Sequence, residues 1–214
     1  VSGRPQRSPP TRWRGVIGSK LERTTMAEHA KSVDMAAERS GIRRRAAAAF
    51  LLCAVVLGVA TLWLPEQIEL PRETAPRLAF AARASLLVML WVAVGVGMVS
   101  TIRRYSAPDN PGSAFAPPSE RLKVPLAFLQ NTLEQATMTS VAFLALATVD
   151  GDAPLGFIMG AVVLFAAGRI TFLRGYPLGA TGRAFGMAMT ALPTLAAFAW
   201  ILIDICADLT RGAV

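Results

Sequence analysis

Asn131 and Glu134 stand inside the long apolar run 125–149, three residues apart and so on one face of a helix. Gln130 and Gln135 flank them. Glu134 falls about 14 Å from the start of that run at 1.5 Å per residue, where an ionised carboxylate costs several kcal/mol unless it is paired or neutral. Its natural counter-ion is Arg169, near the end of the next apolar run. If the two runs are antiparallel, both groups lie at the same depth, and as a pair they largely offset each other's desolvation. Arg103, Arg104, Arg174 and Arg183 all end at that same interface. Two readings follow: an interhelical clasp without chemistry, or the floor of a polar pocket that takes an anionic, hydrogen-bonding ligand beside an apolar one. The basic rim favours the pocket, although positive-inside topology and snorkelling explain each arginine separately.

The elements that position these groups follow from length and composition. The chain has 214 residues, 53% hydrophobic and only 17% charged. Soluble domains carry about a quarter charged residues, so this composition indicates a polytopic membrane protein. Two cysteines, Cys53 and Cys206, cannot form a disulfide framework. The runs 46–64, 78–102, 125–149, 154–173 and 184–205 each approach or exceed the roughly 20 residues needed to cross a bilayer. With no water there for backbone groups, each should be helical. Five spans are the simplest count.

Residues 1–45 hold eleven Lys/Arg against four Asp/Glu, which is +7 of the net +8. This segment reads as a disordered basic tail, its first 40 residues lacking any sustained apolar period. Nucleic-acid binding is not expected, since aromatic interleaving is confined to Trp13. Arg43, Arg44 and Arg45 before an apolar run also resemble a secretion signal. The run 46–64 is too long for that and ends in Leu64-Pro65-Glu66, so it reads as a retained helix. Lys/Arg-rich loops fall on one side if the N-terminus is cytoplasmic and the C-terminus lies on the outer side. Arg83 and Asp204 sit near span ends, where snorkelling suffices, and His29 lies in the tail, so no metal chemistry is expected. Gly95, Gly97 and the pair Gly156/Gly160 permit close helix contact.

Phe128–Glu134 (FLQNTLE) and Gly168–Arg183 (GRITFLRGYPLGATGR) together resemble the MAPEG family, the membrane-associated proteins of eicosanoid and glutathione metabolism. The likeness covers roughly residues 78–208. It implies an all-α fold: a four-helix transmembrane bundle, assembled as a homotrimer, with the run 46–64 as one additional N-terminal transmembrane helix. It also implies glutathione as co-substrate, bound between protomers at the cytoplasmic end, and a lipophilic small molecule or membrane lipid as the second ligand. By residue, Asn131, Glu134, Arg169 and Tyr176 resemble the groups that hold the tripeptide. Arg183, and Arg104 or Arg103, resemble the arginines from which thiolate stabilisation comes. Ala127 departs from the pattern, standing where glutathione-using relatives typically carry an Arg; Leu129 and Phe172 also differ. The implied activities are a glutathione transferase or peroxidase, or a non-catalytic member that binds or presents lipid. A small transporter or purely structural membrane protein is a third reading.

Overall fold

A computed structural model describes residues 35–212, so the first 34 residues of the expected tail 1–45 lie outside the described part. The described chain is all-α. Five helices run in sequence: α1 (Met35–Leu62), α2 (Thr74–Tyr105), α3 (Glu120–Leu146), α4 (Ala153–Gly175) and α5 (Gly179–Arg211). Short 3-10 turns follow α1 (Leu64–Glu66) and α4 (Tyr176–Leu178). Residues 35–45, expected as the end of the disordered tail, are instead the first turns of helix α1, through Ala36, Ala37, Arg39 and Arg43–Arg45, because alanine and arginine are strong helix formers.

Helix α2 packs mainly on α3, and α4 mainly on α5. The two hairpins dock through α2 on α4 and α3 on α5. The helices thus follow each other around the bundle as α2, α3, α5, α4. The interior is built from small and β-branched residues with a few aromatics, among them Ala81, Ala84, Val88, Phe143, Ile158 and Phe165. In hydrocarbon the hydrophobic effect does not drive helices together, so close packing must. At the tightest crossings a side chain is excluded outright. A Cβ on Gly156 would overlap the Ala60 carbonyl of α1, and one on Gly160 would lie 2.7 Å from the Ala60 Cβ. The Gly156/Gly160 pair is therefore the seat of the extra helix. Gly95 likewise approaches Leu129 of α3, whereas Gly97, expected to act with it, has nothing within 4 Å.

A second α1 contact compensates for a proline. Pro193 inside α5 has no N–H, which leaves the Met189 carbonyl without its helical donor. The buried Cys53 thiol of α1 donates to that carbonyl at 4.0 Å. At the other end of the bundle Arg77 is buried and closes the turn between α3 and α4. Its guanidinium donates to the carbonyls of Ala147 (2.9 Å), Gly151 (2.7 Å) and Val149 (2.5 Å).

Three described stretches are long and apolar enough to cross a membrane: Met35–Glu66, Thr74–Tyr105 and Ala153–Arg211. The last contains both α4 and α5. Large apolar side chains such as Leu51, Leu86, Val163 and Ile203 stand exposed on these helices, as a bilayer requires. The chain is an integral, multi-pass membrane protein. Helix α3 is less apolar than these, because Gln130, Asn131, Thr132, Glu134 and Gln135 lower its hydropathy.

Candidate functional site

The site is set by a glycine-lined crossing of α4 and α5. A Cβ on Gly175 would overlap the Gly182 carbonyl, one on Gly182 the Gly175 carbonyl, and one on Gly186 the backbone of Phe172. Only glycine lets the two backbones run this close. The chain reverses between them through Tyr176-Pro177-Leu178 and Gly179, whose φ of 79° lies in the left-handed region. The reversal brings Tyr176 and Arg183 together, with the Arg183 guanidinium 4.8 Å above the Tyr176 ring. Tyr176 in turn packs edge-on against Phe172, at 5.5 Å between centroids.

Facing this turn across α3 is a crevice of about 280 Å³, lined by Ala127, Asn131, Phe172, Tyr176, Arg183 and Met187. Behind it lies Arg169, fully buried. Its guanidinium donates through Nη1 to Asn131 Oδ1 at 2.8 Å and through Nη2 to the Thr190 hydroxyl. It also stands 4.9 Å from the Phe172 ring and 5.4 Å from the Phe165 ring. Both rings come from its own helix, three residues after and four before. Their negative faces supply part of the stabilisation a carboxylate would give.

The expected Glu134–Arg169 ion pair is thus absent among the described residues, and the reason is geometric. Asn131 and Thr190 reach the guanidinium first, and the aromatic rings occupy its faces. Glu134 stands exposed one turn along α3, accepting a hydrogen bond from Gln130 Nε2 at 3.2 Å. The ion pairs seen between described residues, Lys123–Glu120 and Arg211–Asp208, both lie at the surface.

The arginines of the expected rim separate. Arg183 lines the crevice. Arg174 and Arg104 are exposed, and Arg103 donates to Ser113 at 2.8 Å in the loop that follows α2. That loop is organised by Asp109, which accepts from the Ser106 hydroxyl (2.5 Å), the Ser119 amide (2.8 Å) and the Ser119 hydroxyl (2.7 Å). These bonds, led by the Ser106 hydroxyl, hold its carboxyl below the usual carboxylate range. Asp109 thereby ties the end of α2, with its two arginines, to the start of α3.

Chemically, the clasp fixes Asn131 in one sense. Its carbonyl oxygen is consumed by Arg169, which leaves the amide N–H donors for whatever enters the crevice. With the Arg183 cation, these donors suit an anionic or hydrogen-bond-accepting ligand. Among the described residues no group of three or more His, Cys, Asp or Glu converges to hold a metal.

The MAPEG family model matches residues 78–203, more than half of the sequence. The chain belongs to the MAPEG family. Neither a curated protein nor a solved structure matches it. The MAPEG match spans α2 to α5 and leaves α1 outside. Of the MAPEG-type positions read from the sequence, the fold gathers Asn131, Arg169, Tyr176 and Arg183 around one crevice. Glu134, Arg103 and Arg104 lie outside it. The sequence reading missed Thr190, the second acceptor for Arg169. Thr190 and Thr194 sit four apart on α5, and Thr194 also bonds across to Thr139 of α3 at 2.8 Å, so a polar stripe in an apolar run was the available signal.

Proposed function

We propose that this protein is a membrane-embedded, glutathione-dependent transferase or peroxidase acting on a lipophilic electrophile, with Arg183 as the thiolate-stabilising group. The observation that carries the reading is the convergence of Asn131, Tyr176 and Arg183 on one crevice, in a chain whose family uses glutathione. No carboxylate pairs with Arg183 among the described residues, so its charge is available to an anion. A free thiol has a pKa near 8.5 and attacks as the thiolate. A guanidinium beside the sulfur, in a partly desolvated crevice, lowers that pKa and raises the reactive fraction at neutral pH. The sulfur then forms its bond to the electrophilic carbon while the leaving group departs with the bonding pair. Asn131 and Tyr176 hold the peptide, and Arg169 acts as a positioning residue through Asn131.

The proposed assembly is a homotrimer crossing the bilayer five times per protomer, with the N-terminus cytoplasmic and the C-terminus outside. Gln130, Glu134 and Thr137 form an exposed polar stripe on α3 at i, i+4 and i+7. A second copy against that face would spare the hydrocarbon from the Glu134 carboxylate. In this arrangement Glu134 and a neighbour's Arg103 and Arg104 complete the tripeptide site between protomers, and Arg104 shares the thiolate role.

One observation favours the alternative, a non-catalytic lipid-binding or lipid-presenting member. Ala127 lines the crevice itself, so the missing arginine is missing at the site. A charge-assisted bond lost there is worth about 1.5–3 kcal/mol, or roughly ten- to a hundred-fold in affinity. Calorimetric titration of the detergent-purified full chain with glutathione and an S-alkyl analogue decides between the two. The transferase reading expects saturable heat from both, weakened by Tyr176→Ala, and conjugation whose kcat falls in Arg183→Ala. Heat without saturation at millimolar ligand overturns it in favour of the lipid-binding reading.

A further inference from the structure

Helix α1, which lies outside the family-matched region, and the start of α5 enclose a second cavity of about 470 Å³, lined by Gly41, Arg44, Arg45, Ala48, Thr181 and Phe185. We infer that this cavity binds the phosphate of an anionic phospholipid, with an acyl chain laid along α1. The inference stands independently of the glutathione reading, since it shares no residue with the other crevice.

Three observations carry it. First, two guanidinium groups meet at one cavity, and Arg45 Nη1 is steered there by the Gly182 carbonyl at 3.4 Å. Gly41 permits the close approach, because a Cβ at that position would sit 2.8 Å from Thr181. Second, the cavity is polar at the arginines and apolar at Ala48 and Phe185, the polarity order of a lipid at its headgroup. Third, the cavity face continues along α1. Residues 41, 45, 48, 52, 55 and 59 repeat at alternating intervals of four and three, and so share one side of the helix. On that side Leu52, Val55 and Val59 are 41%, 63% and 52% exposed. From Arg44 to Val55 the helix rises about 16 Å, close to one leaflet's half of a hydrocarbon core of about 30 Å. Val55 and Val59 then line a further apolar groove, with Trp63 just after α1 and Met159 and Val163 of α4. Arginine pairs between membrane helices at this level match a lipid phosphate in charge and in forked donor geometry.

The full chain in neutral detergent, titrated by native mass spectrometry, tests this. The probes are short-chain phosphatidylglycerol, phosphatidylcholine of the same chains, and inorganic phosphate. Expected is one saturable phosphatidylglycerol per protomer, bound at least tenfold more tightly than phosphatidylcholine and not displaced by excess inorganic phosphate. The double variant Arg44→Gln/Arg45→Gln should weaken it about thirtyfold, each basic group near an anionic headgroup being worth about fivefold. Ala48→Trp, which keeps both charges and fills the cavity floor, should also abolish saturable binding, and it serves if the double variant does not fold. Arg43→Gln, one residue off the cavity face, should change affinity less than threefold. Equal loss in Arg43→Gln, no loss in Ala48→Trp, or equal binding of phosphatidylcholine would overturn the inference. Displacement by inorganic phosphate would overturn the lipid assignment and leave a free-phosphate site.

Discussion

The clasp between Arg169 and Asn131 makes a prediction that can be worked through to a sign. Asn131→Ala removes the acceptor of Arg169 Nη1, a 2.8 Å bond to a fully buried guanidinium. A hydrogen bond to a charged group is worth about 1.5–3 kcal/mol. The Thr190 bond and the two ring contacts persist, so the loss should be about 2 kcal/mol. For a chain of this length that corresponds to a fall of about 4–8 °C in melting temperature. Trp91 and Trp200 lie in α2 and α5 and Trp63 directly follows α1, so tryptophan fluorescence in detergent follows the unfolding. Asn131→Asp puts a carboxylate where the amide was. Two unit charges about 4 Å apart attract by about 4 kcal/mol at an effective dielectric of 20. Taking the carboxylate out of water costs several kcal/mol, so the two effects nearly cancel. Asn131→Asp should therefore melt close to the wild type and above Asn131→Ala. It should also weaken an anionic ligand at least tenfold, because the amide donors are gone and a negative charge faces the crevice. If Asn131→Ala melts like the wild type, or Asn131→Asp melts below Asn131→Ala, the buried cation is not held as described.

Three further outcomes are expected. Gly182→Ala should destabilise by about 1–3 kcal/mol through overpacking, because its Cβ meets the Gly175 carbonyl; Gly97→Ala, with open space around it, should gain about 0.5–1 kcal/mol from helix propensity, and thermal melts of the two should move in opposite directions. Asp109 has a carboxyl pKa lowered by folding, so its stabilisation is fully present above the unfolded value near 3.9 and is lost as pH falls through the lower folded value; the melting temperatures of wild type and Asp109→Asn should differ at pH 7 and converge below about pH 4. Arg77→Lys cannot serve all three carbonyls of the α3–α4 turn from one ammonium, and should lose about 2–3 kcal/mol at about 1.5 kcal/mol or more per bond to a charged donor, read in the same melts.

The helices of this protein were legible because length and apolarity alone specify them. The family-matched region was legible because two short motifs sit at a fixed separation. The partner of Arg169 was not. Looking for a counter-charge, one finds Glu134, the carboxylate at matching depth in the neighbouring apolar run. The guanidinium instead uses an amide, a hydroxyl and two aromatic faces, none of which carries formal charge. Phe165 and Phe172 at i−4 and i+3 were visible in the sequence, yet they read as core. The seat of α1 was half legible: Gly156 and Gly160 announced a close contact, but only the fold assigns it to Ala60. The anchor of Cys53 on the carbonyl freed by Pro193 needs both the helix break and the partner, and neither residue signals it alone.

Helix α3 shows why the least apolar element sits in the middle of the chemistry. Its buried side satisfies polar groups within the bundle: Asn131 on Arg169, Thr139 on Thr194, and the Thr139 hydroxyl back to the Gln135 carbonyl at 2.8 Å. Its outer side carries Gln130, Glu134 and Thr137, whose internal bonds use only near neighbours. A charged group at the centre of a lipid-facing helix costs about 2.5–3.5 kcal/mol, and a chain under no other constraint would place it elsewhere. A helix that is polar on two sides therefore suits two interfaces, one inside the protomer and, on the proposed assembly, one beyond it. The first positions the Asn131 amide and the second presents Glu134. On the proposed assembly both requirements fall on α3 because the crevice lies between them, and Glu134→Leu should then be tolerated by the single protomer's fold while dissociating or loosening the oligomer seen by light scattering. An unchanged oligomer with intact ligand binding would show that the outer face of α3 meets lipid after all.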